Sequence, residues 1–250
     1  MADRYFSAQP VSADFVVLED NEARHLVRVM RAEPGDEVIV FDGSGAEFVC
    51  EVVELMRNSA RLAVRERHEV NRELPVSITA AVSLPKGDRQ RWLVEKLTEL
   101  GIFRLQPLRT ERGVAQPSDK VVDRLRRYVI EASKQCGRNK LMEIASATDW
   151  SDFAQRTNIT QESSVEVNAH PRLLAHPDGA DSLCETLTPM GQVPSEIHIA
   201  IGPEGGFSAL EVDIACKNDW RVVQLGPRIL RVETAAVAIA SALALAASGD

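Results

Sequence analysis

A chain of 250 residues, 44% of them apolar, has the material for one large core or two smaller ones. The formal net charge is −8. No charge-free run reaches membrane-spanning length: the most apolar stretch, Thr234 to Ser248, makes a helix of about 22 Å against a hydrocarbon core of ~30 Å.

The first residues, MADRYFSAQP, lack the apolar centre of a secretory signal. Cysteines at 50, 136, 184 and 216 form no CxxC pair, and the five histidines show no HExxH spacing. The expectation is a cytoplasmic protein with free thiols, no membrane segment and no metal site.

Residues 1 to 73 read as a small, mostly β domain. Asp20 is placed to cap a helix running to Arg31, in which Arg24, Arg28 and Arg31 share one face at i, i+4 and i+7, with Leu26, Val29 and Met30 on the other. Pro34-Gly35-Asp36 makes a turn, Val38 to Asp42 a strand, and Asp42-Gly43-Ser44-Gly45 a hairpin loop into the alternating AEFVCEVVEL. The polar, proline-containing link at Asn71 to Pro75 marks the domain boundary, giving 1–73 and 74–250.

Beyond the link, strands alternate with helices, the pattern of a parallel α/β sheet. Val76 to Ser83 and Phe103 to Leu108 read as strands, and Ser118 or Asp119 opens a helix that ends at Gly137. Residues 86–140 hold 14 Lys and Arg against 7 Asp and Glu, a net +7 within an acidic chain. Lys86, Arg89 and Arg138, with the Arg24, Arg28, Arg31 stripe, are the candidate phosphate contacts for RNA. Asn158 to Ser164 reads as a polar loop, and Arg172 to Ala175 as a strand with a corner at His176-Pro177-Asp178-Gly179.

Two corners organise the rest. Apolar runs at Ile197 to Ile201 and Arg221 to Leu225 read as buried parallel strands, and they lead into IGPEGGF (Ile201 to Phe207) and LGPRILRVETA (Leu225 to Ala235). Glycines there let backbone groups approach a ligand closely. Corners at the carboxyl ends of neighbouring parallel strands are where open α/β sheets bind small molecules. Ser208 with Glu211 forms a capping-box signature, and Thr234 is placed to cap the last helix. That helix has small apolar residues on all sides and must be buried against something, its own sheet or a second subunit, so a homodimer is expected. Neither corner is a GxxxxGK[ST] or GxGxxG loop, and no GxSxG occurs.

GPEGGF followed by LGPRILRVETA resembles the paired signature of the ribosomal RNA uridine-N3 methyltransferase family, a branch of the knotted SPOUT methyltransferases. LPKGDRQRWLVEKLTELGIFRLQPLRTERG and EASKQCGR extend the likeness, and HLVRVMR with PGDEVIVFDG resembles that family's PUA-like amino-terminal β-barrel. The resemblance implies a carboxy-terminal trefoil knot, S-adenosylmethionine as methyl donor, and N3 of a uridine in small-subunit ribosomal RNA as acceptor, in free RNA or in the assembled 30S subunit. It places the cofactor against Leu174, His176, Ile201, Gly202, Pro203, Glu204, Gly205, Gly206, Leu225, Gly226, Ile229 and Leu230.

The implied reaction requires a cation near the uracil oxygens. Arg231 fits that part, Glu233 orients it or accepts the N3 proton, and Arg228 is the second choice. An Arg231–Glu233 ion pair that merely braces the loop would carry the same sequence. Two other readings share parts of the pattern: a knotted RNA methyltransferase acting on ribose 2′-O or guanine, and a non-catalytic RNA-binding protein.

Overall fold

The computed structural model describes residues 3–11, 14–115, 117–156, 171–187 and 194–247. The polar loop expected at Asn158 to Ser164 lies outside them. The chain forms two compact units, Met1–Glu73 with Ile130–Leu141, and Leu74–Val129 with Met142–Asp250. Residues 130–141, read from sequence as part of the second domain, thus pack with the first unit.

The first unit contains β1 (Arg4–Phe6), β2 (Phe15–Glu19), α1 (Asp20–Arg24), β3 (Glu37–Phe41), β4 (Ala46–Leu55) and β5 (Ser59–Glu69). Its sheet runs β1-β3-β4-β5-β2, antiparallel except for β1 on β3. Strict alternation along β4 turns Ala46, Phe48, Cys50 and Val52 inward, onto Tyr5, Leu18, Leu26, Val40 and Leu62. Register shifts between β4 and β5 at Val49/Cys50 and Val52/Glu54 add local twist and curl the sheet.

The arginine-bearing helix differs from the expected one. α1 ends at Arg24, and His25–Val29 continues as a π turn closed by Met30 N–H donating to His25 O at 3.0 Å. Asp20 is the first helical residue, at φ 48°, and Glu19 precedes it without a side-chain cap. The wider turn keeps Ala23 and Leu26 in the core but rotates the next residues outward, leaving Val29 64% and Met30 41% exposed. Arg31, at φ 55°, falls outside the helix, so only Arg24 and Arg28 share a cleft, together with Asp20, Arg57 and Asn58.

A charged network closes this unit. Glu47 accepts from Arg4 Nη1 at 2.8 Å, Arg72 Nη1 at 2.9 Å and Asn139 Nδ2 at 3.2 Å. Burial works to raise the Glu47 carboxyl, and the bonds from Arg72, Arg4 and Asn139 outweigh it, holding it down to about 2.

The second unit contains β6 (Ser77–Val82), α2 (Arg89–Glu99), β7 (Arg104–Arg109), the first part, through Val129, of α3 (Asp119–Cys136), β8 (Glu143–Ile144), β9 (Thr148–Asp149), α4 (Trp150–Gln155), β10 (Arg172–Ala175), β11 (Asp181–Ser182), α5 (Leu183–Leu187), β12 (Glu196–Ile201), α6 (Ala209–Lys217), β13 (Arg221–Gln224) and α7 (Val232–Ala247). Every pairing is parallel, in the order β11-β13-β10-β12-β6-β7-β8, with β9 also on β7. The central strands β6 and β12 are buried on both faces, as their near-continuous apolar sequence requires. α7 lays Ala236, Ile239, Ala240 and Leu243 against α2 and the sheet. Thr234 is an exposed residue of its first turn rather than its cap.

All four cysteines are free thiols. Among the described residues no helix is long and apolar enough to cross a membrane, and no three His, Cys, Asp or Glu side chains gather as a metal site.

The Glu47 network makes the first unit acid-sensitive. The folded value lies below the ~4.3 of a free glutamate, so this stabilisation is complete above that range and is lost as pH falls through the folded value. Glu47→Gln is expected to lower the melting midpoint near neutrality. The gap between variant and wild type, followed by circular dichroism, should close as pH is lowered from about 5 toward 2.

Candidate active site

Three strands of the second unit stop within one residue of the same level. Ala175, the last residue of β10, stands opposite Ile201 of β12 and Val223 of β13. From sequence the β12 and β13 corners were expected side by side, but β10 runs between them. The His176 corner is therefore the middle of three. It is closed by Gly179 N–H donating to His176 O at 3.1 Å and by Asp178 N–H donating to His176 Nδ1 at 3.2 Å.

The β12 corner, Ile201 to Phe207, is anchored at both ends. Phe207 is 3% exposed and meets the Trp150 ring at 4.9 Å in a cluster with Phe153 and Trp220. Ser208 and Glu211 form the full capping box at the start of α6, and Glu211 also accepts from Glu111 N at 2.9 Å while its carbonyl accepts from Trp150 Nε1. A Cβ on Gly202 would lie 2.9 Å from Phe207 Cδ2 and 3.2 Å from Phe207 N, so this floor is built of bare backbone. The β13 corner turns at Gly226 with φ 102°, and residues 226–229 are exposed.

The three corners enclose a cleft of about 290 Å³. Eleven of the twelve residues expected to hold a cofactor line it, the exception being Leu174. Leu174 is fully buried among Ala81, Leu108 and Ala200, because alternation along β10 turns it into the core. Ile229 stands at the rim, 85% exposed. Arg228 lines the opening, and so does Arg112, whose Nη1 donates to Gly205 O at 2.9 Å.

The profile of the RNA methyltransferase domain family matches residues 72–244, and that of the RNA methyltransferase PUA domain matches residues 18–64. The chain belongs to the RNA methyltransferase family. It is 34% identical over 240 residues to ribosomal RNA small subunit methyltransferase E of Synechocystis, covering 92% of this chain and 73% of that one. Two solved structures are similar over nearly the full length of the chain. Ribosomal RNA small subunit methyltransferase E of Neisseria gonorrhoeae, bound to S-adenosylmethionine, is 27% identical with a TM-score of 0.84 and 97% of each chain covered. A Legionella pneumophila protein in complex with the same cofactor is 28% identical with a TM-score of 0.86 and 98% of each chain covered.

The charged residues predicted around this family's site do not all converge on the cleft. The Arg231 side chain is exposed and makes no hydrogen bond or ion pair among the described residues. Glu233 is 7% exposed, off the cleft lining, and its one ion pair among the described residues is with Arg89 at 3.7 Å. An Arg231–Glu233 pair does not form, because the first turn of α7 directs Glu233 inward and Arg231 precedes the helix.

Of the expected phosphate contacts, Lys86 is exposed and has no partner among the described residues. Arg138 is 3% exposed and bidentate to Glu73, so its head is not on the surface. Arg89 is paired with Glu204 at 3.0 Å as well as with Glu233. Arg112 and Arg57 were missed. Arg112 lay inside the LRTERG run that carried the family likeness, three residues beyond the end of β7, and that likeness was the available signal.

Gly202→Ala is expected to cost about 1–3 kcal/mol of stability through overpacking against Phe207. A urea unfolding midpoint equal to wild type would show that Phe207 yields without cost.

Proposed function

We propose that this protein transfers a methyl group from S-adenosylmethionine to N3 of a uridine in small-subunit ribosomal RNA. The observation that carries the reading is the cleft itself: three neighbouring strand ends within one residue of the same level, a bare backbone floor at Gly202, and aliphatic walls from Ile201, Leu225 and Leu230. Two relatives spanning nearly the whole chain hold S-adenosylmethionine, and the name ribosomal RNA small subunit methyltransferase E recurs among the relatives.

The residues present suit that group. Apolar Ile201, Leu225 and Leu230 would flank the adenine, and backbone groups of Gly202, Gly205, Gly206 and Gly226 would receive its polar atoms. S-adenosylmethionine, when bound, supplies an electrophilic methyl on a sulfonium centre. The chain's own task is at the base. Uracil N3 carries a weakly acidic proton normally engaged in pairing, so the base must be exposed before it reacts. In this reading Arg231, unpaired among the described residues and next in the chain to the cleft-lining Leu230 and Val232, faces the uracil oxygens, and the cleft-lining Arg228 assists it. Two cations there favour the N3 anion, whose proton passes to solvent at the open side. Glu233 takes no part in that transfer, since its carboxylate is buried against Arg89.

Lys86, Arg24 and Arg28 are the phosphate contacts in this reading, with Arg57 added to the Arg24–Arg28 cleft. A knotted carboxy-terminal segment, a cytoplasmic location, and action on free RNA or the 30S subunit belong to the same proposal. So does a homodimer: Ile229 ahead of α7 is 85% exposed and Leu245 in its last turn 76%, two apolar side chains that a second copy would cover.

Calorimetric titration with S-adenosylmethionine, followed by nucleoside analysis of ribosomal RNA from cells lacking the protein, tests the reading. Loss of N3-methyluridine is the expected result, and loss of a 2′-O-methyl or methylguanine nucleoside would redirect it. Arg231→Ala should leave cofactor affinity near wild type while methyl transfer falls on the order of 10²-fold. An unaltered rate would remove Arg231 from the reaction. Sedimentation at micromolar protein is expected to return twice the chain mass, and a monomer there would overturn the dimer.

A further inference from the structure

The Arg89 guanidinium stands between two of the corners. At the start of α2, its Nη2 lies 3.0 Å from Glu204 Oε1 and its Nη1 3.7 Å from Glu233 Oε2. Glu204 sits within the β12 corner and lines the cleft. Glu233 is on the first turn of α7, immediately after the β13 corner. Neither carboxylate has another ion pair among the described residues.

The Glu233 side chain is 9% exposed, and its Oε2 has no hydrogen-bond partner among the described residues. A carboxylate so placed depends on its one countercharge. Arg89 is suited to that double duty because a guanidinium is a planar fork that presents donors along separate edges. Arg89 itself does not line the cleft.

We infer that Arg89 is a positioning residue for the cofactor cleft, tying the β12 corner to the root of α7 so that the two walls keep their spacing. The inference rests on the cofactor reading above and deepens it. Arg89 touches neither donor nor base; it acts through Glu204 and Glu233. A competing assignment, a phosphate contact, predicts a different outcome for the same substitution.

The test uses the full chain as wild type, Arg89→Gln, Arg89→Lys, Glu204→Gln and the Arg89→Gln/Glu204→Gln pair. Each is titrated with S-adenosylmethionine by calorimetry and followed by amide hydrogen exchange. Arg89→Gln is expected to weaken cofactor binding by about tenfold or more, while the rate at saturating cofactor changes less than about threefold, the pattern of lost binding rather than lost transition-state contact. Exchange should quicken in both residues 202–207 and 226–233, with α3 unchanged. Arg89→Lys, keeping the charge but not the fork, should recover part of the affinity. The double variant should bind no more weakly than Arg89→Gln alone, because both changes cut one tie.

Cofactor affinity within twofold of wild type in folded Arg89→Gln overturns the inference, as does faster exchange at one corner only or across the whole unit. Weakened RNA binding with intact cofactor affinity assigns Arg89 to phosphate instead. Should Arg89→Gln fail to fold, Glu204→Gln, at an exposed loop residue, carries the test: unchanged affinity and unchanged exchange at 202–207 overturn the tie. If wild type itself binds no S-adenosylmethionine, the cofactor reading falls, and the exchange experiment still decides whether Arg89 joins the corners.

Discussion

The register of β13, β10 and β12 is the constraint on which the site depends. Because Ala175 pairs level with both Ile201 and Val223, three chain reversals occur at one height on one edge of the sheet. A shift of one residue in any of the three would turn a buried side chain toward the opposite face. Leu174 shows how firmly that is fixed, being wholly enclosed between strands and helices. The cleft is thus the space left where three well-packed strands run out, and it needs no dedicated scaffold of its own.

Holding the loops above that edge falls to aromatic packing and charge. Phe207 is locked by Trp150, and Trp150 in turn donates to the carbonyl of Glu211, so the β12 corner is tied to the same core that orders α4 and α6. Arg112 grips the Gly205 carbonyl from the loop after β7, and Arg89 reaches Glu204 from the start of α2. The basic segment that looked from composition like one phosphate surface is largely engaged in such internal contacts. Arg91 with Glu95, Lys96 with Glu99, Arg104 with Glu143, and Arg138 with Glu73 are all paired. The groups that stay unpaired among the described residues are sparse, Lys86, Lys120, Arg127 and Lys140 along that segment.

The corners were legible because their signals are local: an apolar run, then glycine and proline within six positions, then a capping box whose bonds are those the structure shows. The β domain was legible for the same reason, through the alternation in AEFVCEVVEL. The features that could not be read depend on residues far apart in the chain. Arg89, Glu204 and Glu233 meet only once α2, β12 and α7 are packed, and no spacing rule connects them. The three arginines at 24, 28 and 31 were misleading in another way. Their spacing is that of an ideal α-helix, and a π turn, which keeps Ala23 and Leu26 in the core, takes Arg31 out of the row. Strands of two or three residues, such as β1 and β8, carry too few positions to show a period at all.

The membership of residues 130–141 in the first unit bears on how the chain matures. Glu47 and Glu73 are made early, yet Arg138 and Asn139, which complete their bonding, emerge from the ribosome some 65 residues after Glu73. During synthesis the amino-terminal sheet therefore waits with two acidic groups only partly compensated, and it gains its final polar closure from a segment embedded in the later half of the protein. Maturation of the first unit is in this sense not vectorial, and a truncated amino-terminal product lacking those dozen residues would lose the Asn139 bond to Glu47 and leave Glu73 without its arginine.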